Sequence, residues 1–400
     1  MHQATCCLVL SGALIAPLFA FGASPLSEPP TSVLVAAANA RSFEKARADF
    51  VCTGTNDERV LNAAIERLTY GGTLRLADGD YSIDAFECEG NSAVCFGYNG
   101  GDARTVTVTG TTENKGYNTR HGVSLHVTRK ALAAMDPSKA YRVFYGTQKR
   151  PQAPGVFYRY TRVNNASFVN FHLYFADTSK TLIGIDGRGF GSMELDLVGI
   201  YADEYFTNRY THAGHPRIPV AGTVGVWSVG GSNDESARSR YNEVNVGGLH
   251  RGFVVSGADH LVMTGLMAAR CVYGYWFENG SPKTMTIINC GDEGCTYLPH
   301  FKNRGHLTMI DFNIERFNAD YIPLDPDGEK AEHGAVEETP GAWKGFISYT
   351  LQGNAFGLGG GHFKAGRFWA PGSGGGFVTY CLDDMVRQKL PLAVPSAEVQ

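Results

Sequence analysis

Apolar and polar positions change rhythm twice near the start of the chain. Thr53-Gly54-Thr55-Asn56-Asp57 is a run of turn and N-cap residues, and after it Val60, Leu61, Ala64, Ile65 and Leu68 recur at the spacing of one helix face. Gly71-Gly72 ends that helix. Thr73-Leu74-Arg75-Leu76 then alternates as a strand does and runs into the turn Asp78-Gly79-Asp80. Further on, short apolar runs are divided by Asn, Gly and Asp turns. Arg251-Gly252-Phe253-Val254-Val255, Tyr273-Gly274-Tyr275-Trp276-Phe277 and Glu293-Gly294-Cys295-Thr296-Tyr297 align at offsets of 22 and then 20 residues. Strand-like runs lie between these anchors at Glu243–Val246, His260–Thr264, Thr284–Asn289 and Leu307–Asn313, and Ile183–Ile185 and Val224–Trp227 occupy anchor-like positions upstream. A repeat of this length predicts short strands stacked into parallel sheets with coils about 4.8 Å apart. The register predicts that Phe253, Val255, Tyr275, Phe277, Cys295 and Tyr297 point inward and Val254, Trp276 and Thr296 outward.

The order turn cluster, apolar helix, Gly-Gly and strand from Ala48 to Tyr81 resembles the N-terminal cap of the pectate-lyase superfamily. That cap reads D-G-x-x-D-(D/E), helix, then G-G-x-v-x-l-P-x-G-x-Y; here Thr53 replaces the first Asp, and Ala77 or Asp78 the Pro. The resemblance implies an all-β fold, a right-handed single-stranded parallel β-helix with an N-terminal helical cap. The expected boundaries are a linker over 24–47, the β-helix over 48–321, and C-terminal strands with a cap over 322–400. Hydrolases, lyases, transferases and phage tailspikes share this cap, so it implies a fold rather than a reaction.

Composition narrows the class. Forty-nine glycines against 17 prolines suit many tight corners, and 43% apolar residues supply a core. A net charge of -4 and a pI near 6.3 offer no basic stripe for nucleic acid. Cys6 to Ala23 carries no charge, with small residues at Ala20 and Gly22, so residues 1–23 read as an export signal and the mature chain as secreted, extracellular or periplasmic, with no membrane span after cleavage. Seven cysteines then remain, an odd number that implies a free thiol, while Cys88/Cys95 and Cys290/Cys295 are spaced to close small disulfide loops and Cys271/Cys290 to stack on successive coils. The glycine-rich segment from Gly345 to Leu382 suits a terminal cap or a homotrimer contact.

Asp292-Glu293, within Cys290-Gly291-Asp292-Glu293-Gly294-Cys295, is the leading candidate for chemistry. It stands where polygalacturonase-like glycosidases of the superfamily carry an Asp-Asp pair. Glycoside hydrolysis needs two carboxyls, about 5–5.5 Å apart for retention or about 6.5–9.5 Å for inversion, and one or two coil steps supply such distances. The same segment also reads as a solvated turn. Asp320 is the candidate third carboxylate, one coil later, and His250 and Arg251 are candidate substrate ligands from earlier coils. Trp276, read as outward-facing, is a candidate stacking platform for a sugar ring. The insertion Tyr201–Pro219 adds Tyr205, Arg209, Tyr210 and His212 as a candidate groove wall.

The Asn-Thr-Asp, Gly-His-Gly and Arg-Ile-Lys motifs of polygalacturonases are missing; only Asn318-Ala319-Asp320 and Gly361-His362 approach them. A pectate-lyase-like alternative would use calcium and a basic residue, with Arg270, Lys302 or Arg304 as candidates. Gly252–Leu261 also resembles a segment of the trimeric inulin fructotransferases. The expected function is therefore a secreted carbohydrate-active enzyme on a polysaccharide or oligosaccharide, a glycoside hydrolase without cofactor. The alternatives are a lyase or fructotransferase on the same fold, a non-catalytic glycan-binding or tailspike-like protein, and a structural surface protein.

Overall fold

A computed structural model describes residues 28–96, 104–112, 122–146, 164–203, 222–228, 239–256, 260–277, 284–293, 295, 300–301, 306–315, 347–353, 367–370 and 376–379. The described part is mostly β, in parallel sheets, with few and short helices. One sheet holds seven strands: Ser92–Phe96, Tyr141–Gly146, Leu182–Asp186, Val224–Trp227, Arg251–Val255, Tyr273–Phe277 and His300–Phe301. These are neighbours in their sequence order, and every pair is parallel. Between successive strands the chain crosses to a larger sheet, again advancing one strand per pass: Asn164–Phe175 pairs with Ser192–Ala202, and that strand pairs with Ser239–Asn242 and Asn245–Gly247.

The larger sheet bends because one column of residues adopts left-handed backbone. Asn170, Leu197, Glu243 and Asn289 have φ of 58°, 54°, 48° and 51°, and Gly265, in the same column, has φ 66°. Asn and Gly tolerate this conformation, and its repetition on successive rungs keeps the corner in line. Gly248 and Arg270, with φ of 71° and 54°, make a second corner where the chain leaves for the smaller sheet. There a glycine column, Gly184, Gly225, Gly252 and Gly274, brings neighbouring backbones close. A Cβ on any of the first three would lie 2.6 to 2.7 Å from the carbonyl oxygen of the next glycine.

The helix Asp57–Arg67 forms at the expected place and buries Leu61, Ala64 and Ile65 against the start of the sheets. Its Asp57, fully buried, holds the preceding turn: Oδ1 accepts from the backbone N–H of Thr53 (3.2 Å) and Gly54 (3.0 Å), and Oδ2 from that of Ser82 (2.9 Å). The sheet starts earlier than expected. Ser32–Ala36, inside the segment read as linker, buries Val33 and Val35 and pairs in parallel with Gly72–Leu76. Such a strand is set by a partner forty residues away and carries no turn signal of its own. Past the expected end at Tyr321, Ile347–Gly353 still pairs in parallel with His306–Glu315. Arg367–Ala370 and Gly376–Thr379 form an antiparallel pair.

The inward and outward parity of Arg251–Val255 and Tyr273–Phe277 is as the repeat predicts. Phe253, Val255, Tyr275 and Phe277 belong to the main core, with Phe253 and Tyr275 stacked at 5.2 Å, while Val254 and Trp276 join a separate cluster on the other face. The 22-residue step is also observed, as Arg251 pairs with Tyr273. The third anchor is misplaced: Trp276 and Phe277 pair with His300 and Phe301, and Glu293 ends a strand of the larger sheet opposite Ala269. Gly294 lies outside the described residues. Cys295 is a core residue of another position, and Thr296 and Tyr297 lie outside the described residues. The expected disulfides do not form among the described residues. Cys52, Cys88, Cys271 and Cys290 carry free thiols, three of them buried, and Cys290 donates its S–H to the carbonyls of Met263 and Ile288.

Candidate functional site

The sequence-predicted residues divide over three places. Asp292 pairs with Ala268 and continues an inward column of Leu173, Ile200, Val246 and Ala268. It is 1% exposed. Gly274 leaves room for its carboxyl group, since a Cβ there would lie 3.1 Å from Asp292 Cγ. The Tyr275 phenol, fully enclosed beside Cys290, Asp292 and Cys295, is raised well above its usual pKa, chiefly by burial. Glu293 is the next residue of the strand and lies on the opposite face, in line with Ala269, Gly247, Tyr201 and Tyr174. The two carboxyls therefore cannot flank one glycosidic bond, which corrects the expected catalytic pair.

His250, Arg251 and Trp276 are grouped at the smaller sheet. Trp276 faces outward as expected but is only 5% exposed, so it is not the open platform the sequence suggested. Arg251 places its guanidinium 3.9 Å from the indole centroid, and the Tyr273 ring meets the indole edge-on at 4.7 Å. His250, also buried, packs against Tyr273 at 5.8 Å and takes its backbone N–H to Thr223 Oγ1 (3.0 Å). Asp320, Tyr205, Arg209, Tyr210, His212 and Arg304 lie outside the described residues.

A constellation that sequence reasoning missed lies on the outward face of the larger sheet. His126 pairs with Tyr174 and Ser124 with His172 on successive rungs, and Tyr201 follows Tyr174. His126 Nε2 is 3.2 Å from Asp80 Oδ1, and its ring lies nearly flat on Tyr174, centroids 5.0 Å apart and planes 14° from parallel. Asp80 is fixed in turn by Asn39, whose Nδ2 donates to Oδ2 at 2.8 Å while its Oδ1 accepts the Asp80 N–H at 2.9 Å. Gly79 permits this approach: its φ is 142°, and a Cβ would lie 2.5 Å from Asn39 Oδ1. Behind Tyr174, its hydroxyl and His172 Nδ1 are 3.0 Å apart. Tyr201 packs edge-on to His172 at 5.7 Å, over Gly199, where a Cβ would strike both rings.

Exposure assigns different tasks within this row. Tyr174, Tyr201 and His172 are sealed, whereas the His126 side chain is 32% exposed. Burial pushes the His172 pKa down to about 4, so this imidazole is neutral and holds the Tyr174 hydroxyl in place. His126 is the group a solute can reach, gripped at its edge by a carboxylate and on its face by a phenol ring. A carboxylate on one imidazole nitrogen fixes ring orientation and stabilises the cation formed when the other accepts a proton. The signal for this site was present as same-parity polar aromatics, His172 and Tyr174 in one strand and His126 in another, but no repeat anchor linked those segments.

Among the described residues, no group of three or more His, Cys, Asp or Glu side chains could hold a metal ion. No helix of the described residues is long and apolar enough to cross a membrane. No family model, curated protein or solved structure matches the chain.

Proposed function

We propose that the protein is a secreted carbohydrate-active enzyme, a right-handed parallel β-helix of the pectate-lyase type that cleaves a glycosidic bond with His126 as its proton-transfer group. The fold reading is supported by the rung-by-rung parallel pairing, the corner columns and the helix packed at the start of the sheets. The export reading rests on the uncharged apolar segment before Ala23. One observation carries the chemistry: the half-buried imidazole of His126 is held by Asp80 and backed by Tyr174.

Elimination suits this arrangement better than hydrolysis. Glu293 shares the His126 column but stands five rungs on, about 24 Å away at one strand spacing per rung, far beyond the separation two glycosidase carboxyls need. Gathered instead are an imidazole and a phenol. In β-elimination from a uronate, the base takes the proton α to the carboxyl group, the released electron pair forms the carbon–carbon double bond, and the glycosidic C–O bond breaks. The departing oxygen then takes a proton, which imidazolium can return. His126 serves as the base, and Asp80, 3.2 Å from its Nε2, orients the ring. His172 and Tyr174 act as positioning residues, since neither is open to solvent.

Incubating the purified protein with plant, algal and host glycans, while following both new reducing ends and the ultraviolet absorbance of unsaturated uronates, tests this reading. His126→Gln should lower the rate by at least about 10²-fold, as removal of a general base does. Equal activity in the variant would remove His126 from the mechanism. Reducing ends without unsaturated product would establish hydrolysis instead.

A further inference from the structure

The helix Asp57–Arg67 opens with two carboxyl side chains, and the fold treats them differently. Both are buried, Asp57 fully and Glu58 with 2% of its surface exposed. Asp57 uses both oxygens to accept backbone N–H groups, from Thr53, Gly54 and Ser82. Glu58 is served on one side only. Its Oε2 accepts the Asp84 N–H at 3.0 Å, while Oε1, sealed from solvent, has no hydrogen-bond partner. An ionised carboxylate in such a place gives up its hydration without full replacement, whereas the protonated acid has no charge to solvate.

The groups around Glu58 do not compensate its charge. Asp84, bonded to it through the backbone, is a second buried acid whose own carboxylate is satisfied: Oδ1 accepts from Thr128 Oγ1 at 2.6 Å and Oδ2 from the Asn56 N–H at 2.9 Å, with Lys130 Nζ 3.7 Å from Oδ2. Although burial opposes ionisation, these contacts hold Asp84 below the usual carboxylate range. Arg59, next in the helix, turns away to Glu87, with Nη2 at 2.7 Å. The Cys52 and Cys88 thiols face the same acid, and burial raises both, so they carry no charge. Of the strands packed against the helix, Gly79–Ile83 brings Tyr81, whose hydroxyl is shared between the carbonyls of Val35 and Ala77, and Asp80, which Asn39 holds. Ser92–Phe96 brings Cys95, whose N–H goes to Asn62 Oδ1, and Ser32–Ala36 brings nothing titratable. Burial is accordingly the largest influence on Glu58 and raises its pKa; the Asp84 charge adds to this, and the N–H groups of Asp84 and of Glu58 itself, with Arg59, offset only part.

We infer that Glu58 is a proton switch in the N-terminal cap, holding the helix Asp57–Arg67 more tightly against the sheets in mild acid, where it is neutral, than at neutral pH, where it must ionise. The sign follows from linkage. A carboxyl group raised in the folded state contributes stability that is fully present below its ordinary value of 4.5 and is lost as pH rises through the higher folded value. Asp84 acts the other way and at lower pH, since a depressed carboxylate loses its contribution only as pH falls below its ordinary 3.8. One proton is involved, so the opening equilibrium of the helix changes by at most about tenfold per pH unit.

The test is amide hydrogen exchange of the full chain, read over residues 57–67 from about pH 4.5 to 7.5 and corrected for the intrinsic pH dependence of exchange. Wild-type protection should fall as pH rises, by up to about tenfold per unit. In Glu58→Gln, which has the shape of the neutral acid, protection should be level across this range and exceed that of wild type at the upper end. Glu58→Met, similar in length and unable to titrate, should also be level whatever its absolute stability, and it gives the reading if the Gln variant misfolds; melting curves identify such a case. If both misfold, wild type decides alone, since protection that stays level or rises with pH overturns the proposal. A full wild-type pH dependence retained in either variant overturns it as well.

Discussion

Replacing Trp276 by alanine separates a buried role from a surface one. The indole is 5% exposed, packs in a cluster with Ile183, Val224, Val254, Val272 and Tyr273, and carries Arg251 on its face. Truncating a buried Trp costs about 3–5 kcal/mol through lost transfer energy and the cavity left behind. The edge-on contact with Tyr273 contributes about 0.5–1.5 kcal/mol of this kind of loss. One side of the ring meets a guanidinium rather than hydrocarbon, which places the expected cost at the lower end, about 3 kcal/mol. At about 2.1 cal/mol/K of unfolding entropy per residue, a unit of about 300 to 400 residues loses roughly 1–2 °C of Tm per kcal/mol, so a fall of about 4–5 °C is expected. Thermal unfolding followed by far-ultraviolet circular dichroism reads it directly, and Trp276→Phe should lose less because it keeps most of the packing. A Trp276→Ala protein with an unchanged Tm and weakened glycan binding would refute the reasoning and restore the indole as an exposed platform.

Three other outcomes follow from named contacts. Asp57→Ala leaves three backbone N–H groups, of Thr53, Gly54 and Ser82, without their acceptor; urea unfolding should show a loss of at least about 3 kcal/mol, and a loss under about 1 kcal/mol would mean that water replaces the carboxylate at no cost. Gly252→Ala puts a Cβ 2.6 Å from the Gly274 carbonyl oxygen, an overpacking that backbone cannot relieve locally, so about 1–3 kcal/mol should be lost in the same assay. His172 has a folded pKa near 4 against an ordinary 6.5; its neutral form contributes stability that is present above pH 6.5 and lost as pH falls towards 4, and His172→Phe should lack that part of the acid transition.

What could be read in the sequence was whatever depends on near neighbours. The helix Asp57–Arg67 announces itself by its apolar spacing, and the parity of Arg251–Val255 and Tyr273–Phe277 follows from alternation alone. Properties set by the partner strand were hidden. Asp292 is interior because it stands opposite Ala268, and nothing in Gly-Asp-Glu-Gly distinguishes that from a solvated turn. Ser32–Ala36 is a strand because Gly72–Leu76 accepts it. Trp276 was assigned to the correct face, but its cover comes from Arg251 on the preceding rung. The Asp80–His126–Tyr174 arrangement joins three segments far apart in the chain, where no repeat was visible.

The glycine column also bears on how such a chain can change length. Each of Gly184, Gly225 and Gly252 is constrained by the carbonyl of the next glycine, so the repeating unit of architecture is the seam between two rungs rather than either rung. A duplicated rung that brought its own glycine would meet the same neighbours above and below and leave every seam intact. An insertion between seams leaves them intact too, whatever its length. The stretches separating these glycines in the chain are unequal, yet the strands that carry them pair in one register. Lengthening by whole rungs and lengthening between them are thus separate changes, and the stretch of chain between Ala202 and Val224 can alter without touching a seam.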